Sequence, residues 1–210
     1  MKEDKRILKT KKNLKDTFIR MLSVKSFEQI TVKELCEISN TSRITFYTHY
    51  SDKYDLMDDI SEDMIKMAQA EYQDLQKKNN PSKDSVISYC NFLDCILNIY
   101  YKNIQFFSHT SNSENPYLSF SFYKYILKYL EIHTKKRSDF LKPKYSIKKI
   151  SSFLCYGLWG FINQSHAENC SVDTVRKEIR EILQGILYSE ILTINSKKLE
   201  KSNKKATNTD

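Results

Sequence analysis

Glycine and proline are scarce, three of each in 210 residues. So few turn formers exclude a chain of many short strands and hairpins, and favour long helices with short connections. No run of roughly 18 or more apolar residues occurs, which excludes a membrane-spanning helix. The N-terminus is charged and has no apolar signal core, so the expected location is cytoplasmic, with no membrane partner. Five cysteines (Cys36, Cys90, Cys95, Cys155, Cys170) make an odd set with no C-x-x-C pair and no metal-ligand spacing. Buried, reduced thiols are expected, with no metal and no cofactor. The four histidines are scattered, no glycine-rich phosphate loop exists, and no nucleophile–base pairing is readable. These gaps argue against an enzyme.

What is present is basic, aromatic and helical in period. Apolar residues make up 40% and the net charge is +8, which suits a polyanionic partner as well as a soluble surface. Leu14, Phe18 and Leu22 recur at four-residue steps in a helix expected over residues 5–23, whose start is rich in lysine. Helices follow over about 52–76, 82–101, 117–134, 145–167 and 171–194, with a shorter apolar piece at 104–109. A loop is expected at 110–116, and a disordered tail at 195–210, where apolar residues are few. The fold class is therefore all-α. A small three-helix domain (1–52) precedes a larger helical body (53–194), with 53–76 as the connecting helix.

The stretch from Thr31 to Lys53, TVKELCEISNTSRITFYTHYSDK, has the layout of a helix-turn-helix. Thr31 is a good N-cap with Glu34 at the capping-box spacing. Leu35 and Ile38 give the first helix an apolar side. Asn40 is suited to a left-handed turn. Ser42 is a second N-cap, and Ser51 a third with Asp52 in the first turn behind it. Phe46 and Tyr50 are expected inward, leaving Arg43, Ile44, Thr45, Tyr47, Thr48 and His49 on the outer face. Such a second helix is built like a reader of the DNA major groove.

These residues resemble the TetR/AcrR family of transcriptional regulators. The matches are Ile30-Thr31-Val32, Ser42, Thr45-Phe46-Tyr47, His49-Tyr50 and Lys53, within about residues 7–60. Cys36, Asn40 and Thr41 depart from the family's Ala, Gly and Val, all mild changes. The resemblance implies that Arg43 and Thr45 read base edges or adjoining phosphates. It implies that Tyr47, His49 and Lys53 contact phosphate, with Thr31 donating at a helix start. Arginine can bond guanine bidentately, whereas Tyr, His and Lys fix register.

The resemblance also implies a homodimer on a roughly palindromic operator, acting as a repressor released by a small effector. The segment Tyr156-Gly157-Leu158-Trp159-Gly160-Phe161-Ile162 is similar to the dimer helix of one branch of the family. Expected at that seam are Phe153, Tyr156, Gly157, Trp159, Gly160, Ile182 and Ile186, although packing within one chain accounts for the glycines almost as well. An aromatic pocket is expected from Tyr89, Phe92, Tyr100, Phe106, Phe122, Tyr125 and Tyr129, suited to an apolar, aromatic or cationic effector. Two other readings stay open: a helical adaptor acting through a protein partner, and a regulator switched by thiol oxidation at Cys90 and Cys95.

Overall fold

The computed structural model describes residues 5–107, 123–124, 126–132, 141–189 and 192–194. The described residues are all-helical apart from one short strand pair, and the chain divides into two compact units. The first holds residues 1–70 and 98–122, the second 71–97 and 123–210. The break falls inside one long helix at 70/71 and not at 52/53. Leu56, Met57, Ile60 and Met64 on that helix are all buried, which draws its first half into the first unit.

In the first unit, α1 (Lys5–Leu22) buries Leu14, Phe18, Met21 and Leu22 on one face, as the four-residue spacing requires. A single 3-10 turn (Phe27–Gln29) plugs the fully buried Phe27 ring edge-on against Phe18 at 5.9 Å and Tyr54 at 5.0 Å. Helices α2 (Val32–Ile38), α3 (Arg43–Tyr47) and α4 (Lys53–Asn79) follow. The last turn of α5 (Ser85–Lys102) and the short α6 (Ile104–Phe107) complete this unit. There α6 packs on α1, and Tyr100 stacks on Phe107 at 5.2 Å.

In the second unit, the end of α4 and most of α5 form a hairpin. Its turn is held by amides: Asn79 and Asn91 exchange hydrogen bonds of 3.0 and 2.8 Å, while Asn80 donates to Gln76, to the Asp84 carbonyl and to Ser88. Asp84 accepts from the Ile87 N–H, so α5 starts at Ser85, not at the expected 82. Residues 126–132 are helical (α7), followed by α8 (Ile147–Ala167) and α9 (Val172–Leu187). The core gathers Val86, Tyr89, Cys90, Leu130 and Leu187, with Leu154 and Leu183 against them. Asp94, nearly buried on α5, accepts from Arg176 at 2.8 Å and from Arg180, both on α9. This ties the two helices together.

The helix expected through 194 ends at Leu187. The Ser189 hydroxyl takes the Ile186 carbonyl at 2.7 Å, closing the last turn. Beyond it β2 (Leu192–Ile194) pairs antiparallel with β1 (Leu141–Pro143), Lys142 opposite Thr193. The loop expected at 110–116 and the tail at 195–210 lie outside the described residues. All three glycines sit inside helices, and the left-handed turn positions are filled by Asn40, Lys83 and Asn169 at φ 49°, 58° and 55°. Glycine scarcity is thus met by residues that tolerate the turn at a modest cost.

Candidate nucleic-acid interface

Two caps and one turn build the helix-turn-helix. The Thr31 hydroxyl accepts from the Glu34 N–H at 3.2 Å and starts α2. The Glu34 carboxylate pairs with Lys25. At the other end the Thr41 N–H returns to the Cys36 carbonyl at 2.9 Å across the left-handed Asn40, satisfying a carbonyl of the last turn. The Ser42 hydroxyl then accepts from the Thr45 N–H at 3.0 Å and starts α3. From α1, the Asn13 amide donates to the Ser39 carbonyl at 2.7 Å and fixes this turn on the body.

Phe46 and Tyr50 are buried, as expected, with Leu35 and Cys36 facing them from α2. Ile38, expected on the same side, is 53% exposed. Leu35, Cys36 and Ser39 occupy the inward positions of this short helix, which turns Ile38 outward.

The outer face of α3 is open. Ile44 is 80% exposed and Tyr47 57%, the latter with its ring edge on Phe46 at 5.3 Å. Ser42, Arg43 and Thr48 are exposed, and Thr45 and His49 are half-buried. Among the described residues, the Arg43 guanidinium, the Tyr47 hydroxyl and the His49 imidazole have no hydrogen-bond partner within the chain. Three donors of different reach therefore share one surface with a free aliphatic side chain. The Thr48 hydroxyl, by contrast, donates to the Thr45 carbonyl at 2.7 Å.

Lys53 has a different task from the phosphate contact expected of it. Its ammonium donates to the carbonyls of Phe27, Glu28 and Ile30 at 2.9, 3.2 and 3.1 Å, and lies over the Phe27 ring at 4.6 Å. Its three donors are thereby used, and it ties the start of α4 to the 3-10 turn. The N-cap of α4 is Asp52, not Ser51: Asp52 Oδ1 accepts from the N–H groups of Tyr54 and Asp55, each at 2.8 Å.

Sequence reasoning missed the polar network behind the reader. Asp59 on α4 accepts from the Tyr50 hydroxyl at 2.7 Å and from Lys15 at 2.9 Å, and Lys15 also reaches Asp63 at 2.5 Å. Burial works to raise the Asp59 carboxyl. The hydrogen bonds from Lys15 and Tyr50 and the charges of Lys15 and Lys11 outweigh it and hold the pKa below the ordinary carboxylate value. Burial, and then Asp59 itself, push the Tyr50 hydroxyl well up. No local pattern marks these groups, because Lys15 on α1 and Tyr50 in the segment after α3 meet the carboxylates of α4 only once the chain is packed.

The second unit holds a cavity of about 270 Å³ between α5, α7, α8 and α9. Tyr89 and Phe92 line it. Tyr129 instead stacks on Phe92 at 4.9 Å, and Tyr100 belongs to the first unit. Phe122 and Tyr125, and the side chain of Phe106, lie outside the described residues. The wall is mostly aliphatic: Leu93, Ile96, Leu154, Leu158, Ile179 and Leu183 supply much of it.

Beside this cavity α8 and α9 carry an exposed apolar stripe. Phe153, Tyr156, Gly157 and Gly160 follow one another along α8, with Ile182 on α9. Tyr156 meets the Tyr123 ring at 4.3 Å. Trp159 is half-buried with its indole nitrogen covered, and Ile186 packs against the core, so neither belongs to the exposed stripe. A Cβ added at Gly157, Gly160 or Gly185 would meet nothing within 4 Å. Packing among the described residues therefore does not account for the glycines.

Among the described residues no group of His, Cys, Asp and Glu is placed to hold a metal ion, and no helix is long and apolar enough to cross a membrane. Cys90 and Cys95 lie five residues apart on α5, about 140° around the helix, which does not bring their sulfurs together. Burial pushes the Cys90 thiol up, away from the reactive thiolate.

No family model matches the sequence, and no curated protein matches it either. Solved structures do. One assigned as a TetR-family transcriptional regulator, from Syntrophomonas wolfei, superposes with a TM-score of 0.69 at 9% identity, covering 87% of this chain and 96% of that one. A TetR transcriptional regulator from Streptococcus agalactiae gives 0.59 at 21% identity, covering 86% and 96%. A protein described as a fatty acid metabolism regulator, from Clostridium perfringens, gives 0.56 at 14%, covering 81% and 96%. On this likeness, the chain has the fold of the TetR-family transcriptional regulators.

Proposed function

We propose that this protein is a sequence-specific DNA-binding regulator of transcription that works as a homodimer. The observation that carries the reading is the face of α3. Arg43, Tyr47 and His49 present unused donors beside the exposed Ile44, while Phe46 and Tyr50 anchor the helix from behind. Arg43 and Thr45 stand at the start of α3, where a helix in the major groove meets base edges. Tyr47 and His49 stand further along and suit phosphate. Lys53 belongs to the scaffold that positions them. One chain supplies one such helix. Two chains joined along the exposed stripe of α8 and α9 supply a pair for two half-sites about 34–36 Å apart on a roughly palindromic operator. Repression, with release by a small apolar effector, is the mode we assign.

A mobility-shift and footprinting series on the DNA upstream of its own and adjoining genes tests this. A two-fold symmetric footprint is expected, with affinity falling linearly in log salt as counterions are released. Binding no tighter to any of these segments than to random duplex sinks the proposal.

A further inference from the structure

Ile44 is the most exposed large apolar side chain among the described residues, at 80%. It lies in the first turn of α3, between Arg43 and Thr45. Folding does not account for it. At that exposure it adds almost nothing to the core, and a β-branched residue is a poorer helix former than alanine. A single exposed isoleucine is ordinary on a protein surface. The neighbours make this one informative, because the unused donors of Arg43, Tyr47 and His49 stand on the same short helix and its end.

The other polar groups of this segment are already committed. The Ser42 and Thr45 hydroxyls share one hydrogen bond at 2.8 Å, and Ser42 also accepts from the Thr45 N–H. The Thr48 hydroxyl donates to the Thr45 carbonyl. From Ser42 to His49 there is no Asn or Gln, the side chains that bond adenine bidentately, and no Asp or Glu to accept from cytosine. Arg43 matches guanine. For a T·A pair, what remains to be read is the thymine 5-methyl, the apolar group that this pair displays in the major groove.

We infer that Ile44 is a specificity-determining residue, packing on the 5-methyl group of a thymine close to the guanine met by Arg43. This rests on the DNA-binding reading above and adds a base identity to it. Neighbouring Cα atoms stand about 3.8 Å apart, close to the roughly 3.4 Å between successive bases of one strand. Residues one apart on a helix also diverge by about 100°, so Arg43 and Ile44 meet different base pairs. Contact takes both the isoleucine and the methyl out of water, which is favourable for the area hidden and needs no hydrogen-bond geometry. Each half-site therefore carries a thymine within about two base pairs of its guanine.

The test uses the full chain and the duplex that it footprints. Thymines are replaced one at a time by deoxyuridine, which removes the 5-methyl and leaves every hydrogen-bonding group in place. One position in a half-site is expected to weaken binding about fourfold, the factor for hiding one methyl-sized group. Ile44→Ala is expected to weaken binding to the parent duplex and to erase the uracil penalty, since the two changes remove the same contact. Ile44→Val, one methylene smaller, is expected to keep part of it. The side chain is exposed, so both variants are expected to unfold at the parent's temperature. Replacing the same T·A pair by C·G weakens binding, and 5-methylation of the new cytosine is expected to return about fourfold to the parent protein and nothing to Ile44→Ala.

A uracil scan that is flat at every thymine, or a uracil penalty that persists at full size in Ile44→Ala, overturns the inference and leaves the regulatory reading standing. Binding no tighter than to random duplex in the mobility-shift series overturns both.

Discussion

The Tyr50 hydroxyl donates to the Asp59 carboxylate at 2.7 Å, and through that bond the residue that ends the recognition segment is fastened to α4. Lys15 of α1 holds the same carboxylate from the other side. Tyr50→Phe is expected to cost about 1.5–3 kcal/mol, the range for a hydrogen bond to a charged group. Chemical denaturation measures it.

The same contact predicts an acid response. Asp59 has a lower pKa folded than unfolded, so the folded state binds fewer protons. Its contribution is complete above the unfolded value, about 3.9, and disappears as pH falls through the folded value. Stability curves from pH 6 to about 2 are expected to fall less steeply for Asp59→Asn than for the parent chain. Parallel curves would remove Asp59 from the account.

Lys53→Met separates a scaffold role from a phosphate contact. Three carbonyls lose their donor, so a loss of roughly 2 kcal/mol in folding stability is expected. The salt slope of DNA binding is expected to stay unchanged. A slope reduced by about one would restore Lys53 to the phosphate.

On α3 the outer residues should divide. Arg43→Ala is expected to relax discrimination at one base pair by about 1–3 kcal/mol, and Tyr47→Phe to weaken all sequences alike. Competition gel shifts over a panel of single-base operator variants distinguish the two. Full discrimination retained by Arg43→Ala would deny it a reading role.

The glycines of α8 give an experiment with opposed signs. Among the described residues, alanine at Gly157 and Gly160 meets no atom within 4 Å, so each substitution is expected to stabilise the helix by up to about 1 kcal/mol. If the stripe is the seam, the same variant associates more weakly. Thermal unfolding at high dilution and sedimentation equilibrium read the two effects separately. Association unchanged in the double variant would move the seam elsewhere.

The helix-turn-helix was legible because its determinants are local. Thr31, Asn40 and Ser42 carry the caps and the turn within twelve residues, and the period places Phe46 and Tyr50 inward. Lys53 was not legible, since its three acceptors stand 23 to 26 residues away in sequence. Nor were Asp59 and Lys15, 44 residues apart and joined only once α1 and α4 are packed. In the second unit, the family resemblance and an aromatic-rich composition suggested an aromatic pocket. The rings that composition counts are partly spent on one another, Phe92 on Tyr129 and Tyr72 on Tyr129, and aliphatic residues make most of the wall. The pairing of 141–143 with 192–194 escaped because three residues are too few to set a period, although Thr193 and Ile194 are β-branched.

That short pairing has a mechanical consequence. Helices α8 and α9 are joined at one end by the turn at Asn169 and at the other by the ladder between Leu141–Pro143 and Leu192–Ile194. A hairpin fastened at both ends cannot scissor open. Phe153 on α8 and Ile182 on α9 are exposed and line the cavity, so a guest passing between the two rods meets them first, and the ladder limits how far the rods can bow. Uptake and escape should then be slow relative to diffusion, which makes residence time, more than affinity, the quantity this architecture governs.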